Sequence, residues 1–157
     1  MEIPKDLKCG EAVLVSACVL GEATRYDGGD KGAPYLVDAL NRVGVRIISA
    51  CPEMLGGLPV PRPAAAMEVG NGIGAWQGDA KVKTVADDVD VTPAFVAGAQ
   101  AAVNLAQEHM VRYAFLQERS PSCGVRQTHS LNGLVDGPGV AGAALLSIGV
   151  QLIAVDG

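Results

Sequence analysis

The stretch Val111-Arg112-Tyr113-Ala114-Phe115-Leu116-Gln117-Glu118-Arg119-Ser120-Pro121-Ser122-Cys123-Gly124 divides in two by its chemistry. Val111 to Leu116 is mostly apolar and reads as a buried strand. The Ser, Pro, Ser, Cys and Gly that follow are loop residues. A cysteine is therefore presented just past a strand end, with two hydroxyls and a glycine beside it. The pattern occurs twice more. Cys18 ends the run Ala12-Val13-Leu14-Val15-Ser16-Ala17, and Cys51 ends Val45-Arg46-Ile47-Ile48-Ser49-Ala50.

Working outward from these strands gives the organisation of the chain. Residues 1–10 read as a loose polar lead-in, and Cys9 within them carries no assigned role. Residues 12–18 are apolar almost throughout, as in a strand covered on both faces. The polar loop 21–32 follows, long enough to suggest function. Pro34 opens a helix that Gly44 stops, and strand 45–50 delivers Cys51. The prolines from Gly56 to Pro63 favour an extended path. Residues 67–85 read as short strands and turns, with Gly70-Asn71-Gly72 and Gly78-Asp79 as turns. Thr92 is placed as the N-cap, and Pro93 at the first position, of a helix running to about His109. After strand 111–116 and the cysteine loop, Gly133 to Gly139 reads as a turn-rich bridge. A helix over 140–148 and a strand over 150–155 complete the order. Strands alternating with helices predict an α/β fold, with residues 11–157 as a single domain. Its expected form is a mostly parallel sheet flanked by helices, a Rossmann-like three-layer arrangement. Ligands of such sheets bind beyond the carboxyl ends of the strands, where Cys18, Cys51 and Cys123 all lie.

Composition sets limits. With 157 residues, 49% hydrophobic, the chain can build a sizeable core, and with 4% aromatics that core is made of small aliphatic side chains. A net charge of −5 argues against broad nucleic-acid binding, which needs a basic face, but not against a small pocket lined by the few arginines. No apolar run reaches the roughly 18 residues of a membrane span. The absence of a signal-peptide pattern leads to an expected cytoplasmic location. In that reducing compartment the four cysteines read as thiols or metal ligands rather than disulfides.

Three thiolates at one sheet edge suit zinc or an iron–sulfur cluster, since soft sulfur selects these metals. Their wide spacing does not choose between the two. His129, in the loop after Cys123, is a candidate fourth ligand, whereas His109 reads as a helix-end residue. The plainer reading is three buried small hydrophobes. A nucleophilic reading rests on Cys18 and Arg25, because cysteine phosphatases hold their anion with C-x5-R. The gap here is one residue longer. Glu53 can serve as general acid or base beside such a site, with a surface carboxylate as the alternative. Ser120 and Ser122 can bond a substrate or simply cap their own turn. Ser16 is placed along the pocket, and Arg25 and Asp27 at its mouth, with a solvated loop as the alternative for those two. Trp76 is assigned to packing.

Four segments then combine. They are Val15-Ser16-Ala17-Cys18-Val19-Leu20-Gly21 with Arg25-Tyr26-Asp27-Gly28; Cys51-Pro52-Glu53-Met54-Leu55-Gly56-Gly57-Leu58-Pro59 with Pro61-Arg62-Pro63; Asp90-Val91-Thr92; and Glu118 to Gly124. Together they resemble the thiouracil desulfidase (TudS) family, formerly a domain of unknown function, from about residue 11 to the end. The resemblance implies a [4Fe-4S] cluster held by Cys18, Cys51 and Cys123, with a fourth iron free of protein ligands to take sulfur from a thiolated pyrimidine. It also implies Glu53 and Ser120 as the acid/base pair of a redox-neutral replacement of sulfur by oxygen. The substrate would be a small thiolated pyrimidine of the 2- or 4-thiouracil type, as free base, nucleoside or part of RNA. The alternatives are a cluster-binding protein without turnover and a cysteine hydrolase. The chain departs from the family pattern at Ala64-Ala65-Ala66-Met67-Glu68, where an expected carboxylate is missing or displaced to Glu68. It departs again at Val125-Arg126-Gln127-Thr128-His129.

Overall fold

The computed structural model describes residues 3–156; residues 1, 2 and 157, the outer ends of the expected lead-in and domain, lie outside them. Strand β1 is Ala12–Ser16, followed by a 3-10 turn over Ala17–Leu20 and helix α1, Pro34–Val43. Strand β2 is Arg46–Ala50 and the short helix α2 is Pro52–Leu55. Next come β3 (Ala65–Met67), α3 (Gly72–Gln77), β4 (Val82–Thr84) and the long helix α4 (Thr92–Glu108). Strand β5 is Tyr113–Gln117. The chain finishes with β6 (Gln127–Ser130), β7 (Gly133–Asp136), α5 (Val140–Ser147) and β8 (Gln151–Val155).

Four strands form a wholly parallel sheet in the order β2-β1-β5-β8. Its period-2 side chains feed two cores. Val13, Val15, Tyr113 and Phe115 meet Leu36 and Leu40 of α1 on one face. Ala12, Leu14, Ala114 and Leu116 meet Phe95, Ala99 and Val103 of α4, and Val140 and Ala144 of α5, on the other. The result is the expected three-layer α/β arrangement. From β1 the chain adds β2 on one side and later β5 on the other. The strand order therefore reverses between β1 and β5, which is where such sheets bind ligands.

Several local expectations change. Strands β3, β4, β6 and β7 make a second sheet in the order β4-β3-β6-β7, antiparallel but for a short parallel contact between β3 and β6. The turn-rich bridge at 133–139 thus contains strand β7. Asn71, read as part of a turn, caps α3, its Oδ1 accepting the Ile73 N–H at 2.9 Å. The N-cap of α4 is Val91 rather than Thr92. The Thr92 hydroxyl instead accepts the Val82 N–H at 2.8 Å, tying the helix to β4, while Asp90 accepts the Thr92 N–H. The lead-in is also anchored. Leu7 is buried, and the Asp6 carboxylate accepts from Tyr113 Oη at 2.6 Å and from Arg112 at 3.0 Å. Among the described residues, no helix is long and apolar enough to cross a membrane.

Helix α2, which follows Cys51, lies directly on α4. A Cβ at Gly98 would overlap the Pro52 carbonyl oxygen, and one at Gly56 would overlap the Ala94 carbonyl oxygen. This close approach sets the height of Cys51 and Glu53 over the sheet. Gly98→Ala is expected to destabilise the protein by about 1–3 kcal/mol through overpacking. Thermal melts would show this as a Tm several degrees lower, against an Ala97→Ser control on the exposed face of α4 that stays near wild type.

Candidate active site

The three strand ends meet. Strands β2, β1 and β5 are adjacent, and each delivers its cysteine just past its carboxyl end. Cys18 sits in the 3-10 turn after β1, Cys51 is the N-cap residue of α2, and Cys123 lies in the loop after β5. All three line one cavity of about 600 Å³. All are free thiols: Cys123 is buried, and Cys18 and Cys51 are half-buried. The Cys51 thiol donates to the Thr24 carbonyl at 3.8 Å. The Cys123 sulfur stands 3.8 Å from Ser122 Oγ, and the Ser16 hydroxyl favours its ionised form.

The loop that presents Cys123 is wrapped around a buried carboxylate. Glu118 is 4% exposed. Its oxygens accept the N–H groups of Arg119 (3.2 Å), Val125 (2.8 Å), Arg126 (2.9 Å) and Gln127 (3.1 Å), together with Arg126 Nε at 2.9 Å. Gly124 has no room for a side chain, since a Cβ there would run into the Gln127 carbonyl oxygen. Burial alone would raise the Glu118 pKa. The Arg126 guanidinium and the backbone N–H groups outweigh it and hold the carboxyl down at about 2, against an ordinary 4.5. Glu118 carried no role in the sequence reading.

A second buried charge stands across the cavity. Arg62 is fixed by three bonds: Nε to Glu53 Oε1 at 3.0 Å, one terminal nitrogen to the Pro59 carbonyl at 3.1 Å and the other to the Thr24 carbonyl at 2.9 Å. Its side chain is 4% exposed, so the ion pair with Glu53 is largely shielded from water. Arg62 also lacked a role in the sequence reading, although an arginine set between two prolines was a signal that it is held rigidly. The other oxygen of Glu53 accepts from Ser122 Oγ at 2.8 Å, and Ser122 Oγ stands 3.0 Å from Ser120 Oγ. Ser120 Oγ also accepts the N–H groups of Ser122 and Cys123, at 3.2 and 3.1 Å. Ser120 therefore caps its own turn and lines the cavity as well.

Of the other expected pocket residues, Ser16, Arg25 and Ser122 line the cavity. Asp27 does not. Its Oδ1 accepts the Gly29 N–H at 2.9 Å and is used in its own turn. Glu68 does not replace the missing carboxylate either. It pairs with Lys83 at 2.7 Å outside the cavity, while Ala64, Ala65 and Ala66 form the wall. His129 is exposed on β6 at the cavity's edge, and His109 ends α4. Trp76 packs under the core.

Among the described residues, no three His, Cys, Asp or Glu side chains are grouped so as to hold a single metal ion. A cluster binds each thiolate to a different iron, so its ligands stand further apart than those of a single ion. The three are still near enough that Cys18 and Cys51, as thiolates, both oppose ionisation of Cys123. On the cavity wall, Gln117 Oε1 is buried without a hydrogen-bond partner, a polar group of the kind found where a site receives something else. The nucleophile reading loses ground, because an attacking cysteine needs a lowered pKa. Burial pushes the Cys18 thiol up to about 11, and Arg25 offsets this only in part.

A family model described as 2-thiouracil desulfurase matches residues 13–156. The chain belongs to that family. It is similar to the uncharacterized protein YbbK of Bacillus subtilis (strain 168), with 32% identity over 146 residues, covering 90% of this chain and 93% of that protein. It is also similar to a solved structure named as the [4Fe-4S]-dependent thiouracil desulfidase TudS. The TM-score is 0.78 and the identity 37%, covering 92% of this chain and 90% of that one.

The depressed Glu118 pKa predicts acid sensitivity. A folded-state pKa near 2 against 4.5 means that the carboxylate's contribution is fully present above about pH 4.5 and is lost as pH falls toward 2. The shift corresponds to a contribution on the order of 3 kcal/mol. Glu118→Gln should lower stability at neutral pH and flatten the acid limb between those values, as read by denaturant melts across pH.

Proposed function

We propose that the protein is an iron–sulfur enzyme that replaces the sulfur of a thiolated pyrimidine with oxygen, releasing sulfide. The observation that carries this reading is the convergence of three thiols and one carboxylate–serine pair on a single cavity at the switch point of the sheet. Family membership and the cluster dependence named for the solved relative support it.

In this reading Cys18, Cys51 and Cys123 hold a [4Fe-4S] cluster whose fourth iron has no protein ligand. When bound, the cluster supplies an exposed iron, a Lewis acid and soft acceptor that assists C–S cleavage where C–O chemistry would gain little. The remaining work falls to the protein. Glu53 activates water as general base, Arg62 fixes its orientation, and Ser120 faces the ring carbon under attack. The second sheet and the loop carrying Arg25 exclude bulk water. The balance is one C=S and one water giving one C=O and one H₂S, with no net electron transfer. A cavity of about 600 Å³ suits a nucleobase or nucleoside. The net charge of −5 favours such small substrates over tRNA.

Anaerobic reconstitution should give broad visible absorption and about four irons per chain; bound zinc, or no metal, overturns the reading. The loaded protein should release sulfide from 2- or 4-thiouracil. Cys123→Ala should abolish release. Glu53→Gln, which keeps a partner for Arg62, should slow it by about 10²–10⁴-fold. Full activity in either variant eliminates the proposed roles. A loaded cluster without sulfide release would leave a binding protein in place of an enzyme.

A further inference from the structure

Glu53 and Ser120 reach each other through a single residue. Ser122 Oγ is 2.8 Å from Glu53 Oε2 and 3.0 Å from Ser120 Oγ, and Ser122 is 3% exposed. A serine hydroxyl has one proton to give. The Cys123 sulfur, at 3.8 Å, is the poorer acceptor, so that proton lies toward the Glu53 carboxylate. The Ser120–Ser122 contact then has only one polarity: Ser120 donates and Ser122 accepts. The chain runs Ser120 O–H to Ser122 O–H to Glu53 carboxylate, without a gap and shielded from solvent at its middle member.

We infer that Ser122 is the proton conduit between the cavity and Glu53, a positioning residue that acts without touching the substrate. The inference rests on the desulfidase reading above. As water attacks the ring carbon, its proton passes to Ser120 Oγ. The Ser120 proton passes to Ser122, and the Ser122 proton passes to Glu53 Oε2. Both serines end neutral, hydroxide is delivered to carbon, and Glu53 holds one proton. The same proton returns along the chain to the departing sulfur, the proton of the new C–OH joins it as C=O forms, H₂S leaves, and Glu53 is regenerated. Two features favour this path. The N–H groups of Ser122 and Cys123 point at Ser120 Oγ and stabilise negative charge there while its proton is in transit. Arg62, bound to the far oxygen of Glu53 and to two backbone carbonyls, holds the receiving oxygen toward Ser122.

The test compares Ser122→Ala and Ser122→Thr with wild type. In the reconstituted enzyme, Ser122→Ala should lower kcat about 10²-fold with KM unchanged, and Ser122→Thr, which keeps the hydroxyl, should restore it. The multi-proton solvent isotope effect on kcat should disappear in the alanine variant. Ser122→Ala combined with Glu53→Gln should be no slower than Glu53→Gln alone. A second reading needs no cluster. The infrared carboxylate stretch of Glu53, assigned by its loss in Glu53→Gln, should shift in Ser122→Ala and return in Ser122→Thr. An unshifted band, an unchanged isotope effect or additive losses overturn the conduit. Wild-type turnover with full-rate Ser122→Ala overturns it alone, whereas wild-type protein that releases no sulfide from any thiopyrimidine overturns the desulfidase reading and the conduit together.

Discussion

The Glu118 carboxylate collects four backbone N–H groups and one guanidinium nitrogen within a single loop. Taking a carboxylate out of water costs several kcal/mol when it is left unpaired. Here the cost is offset because every donor comes from the segment that must be held: Arg119 before the cysteine turn, and Val125 to Gln127 after it. The two ends of the turn are pinned to one point, and Cys123 between them has little freedom. The exposed ion pairs of Arg119 and Arg126 with Asp156 tie the same loop to the chain's last strand. The cysteine loop is therefore a rigid extension of the sheet.

The opposite wall follows the same logic with the signs exchanged. Arg62 is the buried cation, bonded to the carbonyls of Thr24 and Pro59 and to the carboxylate of Glu53. Through Thr24 it fixes the long loop beside Cys51, and through Glu53 it reaches Ser122 in the cysteine loop. Charges that belong to separate segments thus hold the three strand ends in one arrangement. A site assembled from side chains on separate segments needs that order before any ligand arrives. The glycines on α4 and α2 complete it by letting the helix carrying Glu53 lie on its neighbour's backbone.

Much of this was legible in the chain. Apolar runs followed by a cysteine marked β1, β2 and β5; β1 and β5 are buried along their whole length, whereas β2, at the sheet's edge, keeps Arg46 and Ser49 exposed. Pro34, Pro93 and Gly44 marked helix ends through fixed φ and a left-handed cap. The second sheet was harder to read. Its strands are three or four residues long, and only pairing with one another defines them. Asp27 was placed with Arg25 at the pocket mouth, yet a nearer donor, its own loop's Gly29 N–H, takes it.

The sequence by itself determined the parallel α/β fold, the three thiols at equivalent strand ends, and Glu53 and Ser120 as the polar groups beside them. These follow from periodicity and from turn chemistry, which act over a few residues. The tertiary structure decided the rest: that β2, β1 and β5 are neighbours, that Glu118 and Arg62 are the buried charges, and that Ser122 joins Glu53 to Ser120. Glu53 and Ser122 are 69 positions apart, so their hydrogen bond exists only once the sheet, α2 and α4 have packed. A local pattern can announce that a side chain is polar and near a strand end. Which partner it meets depends on packing between distant segments.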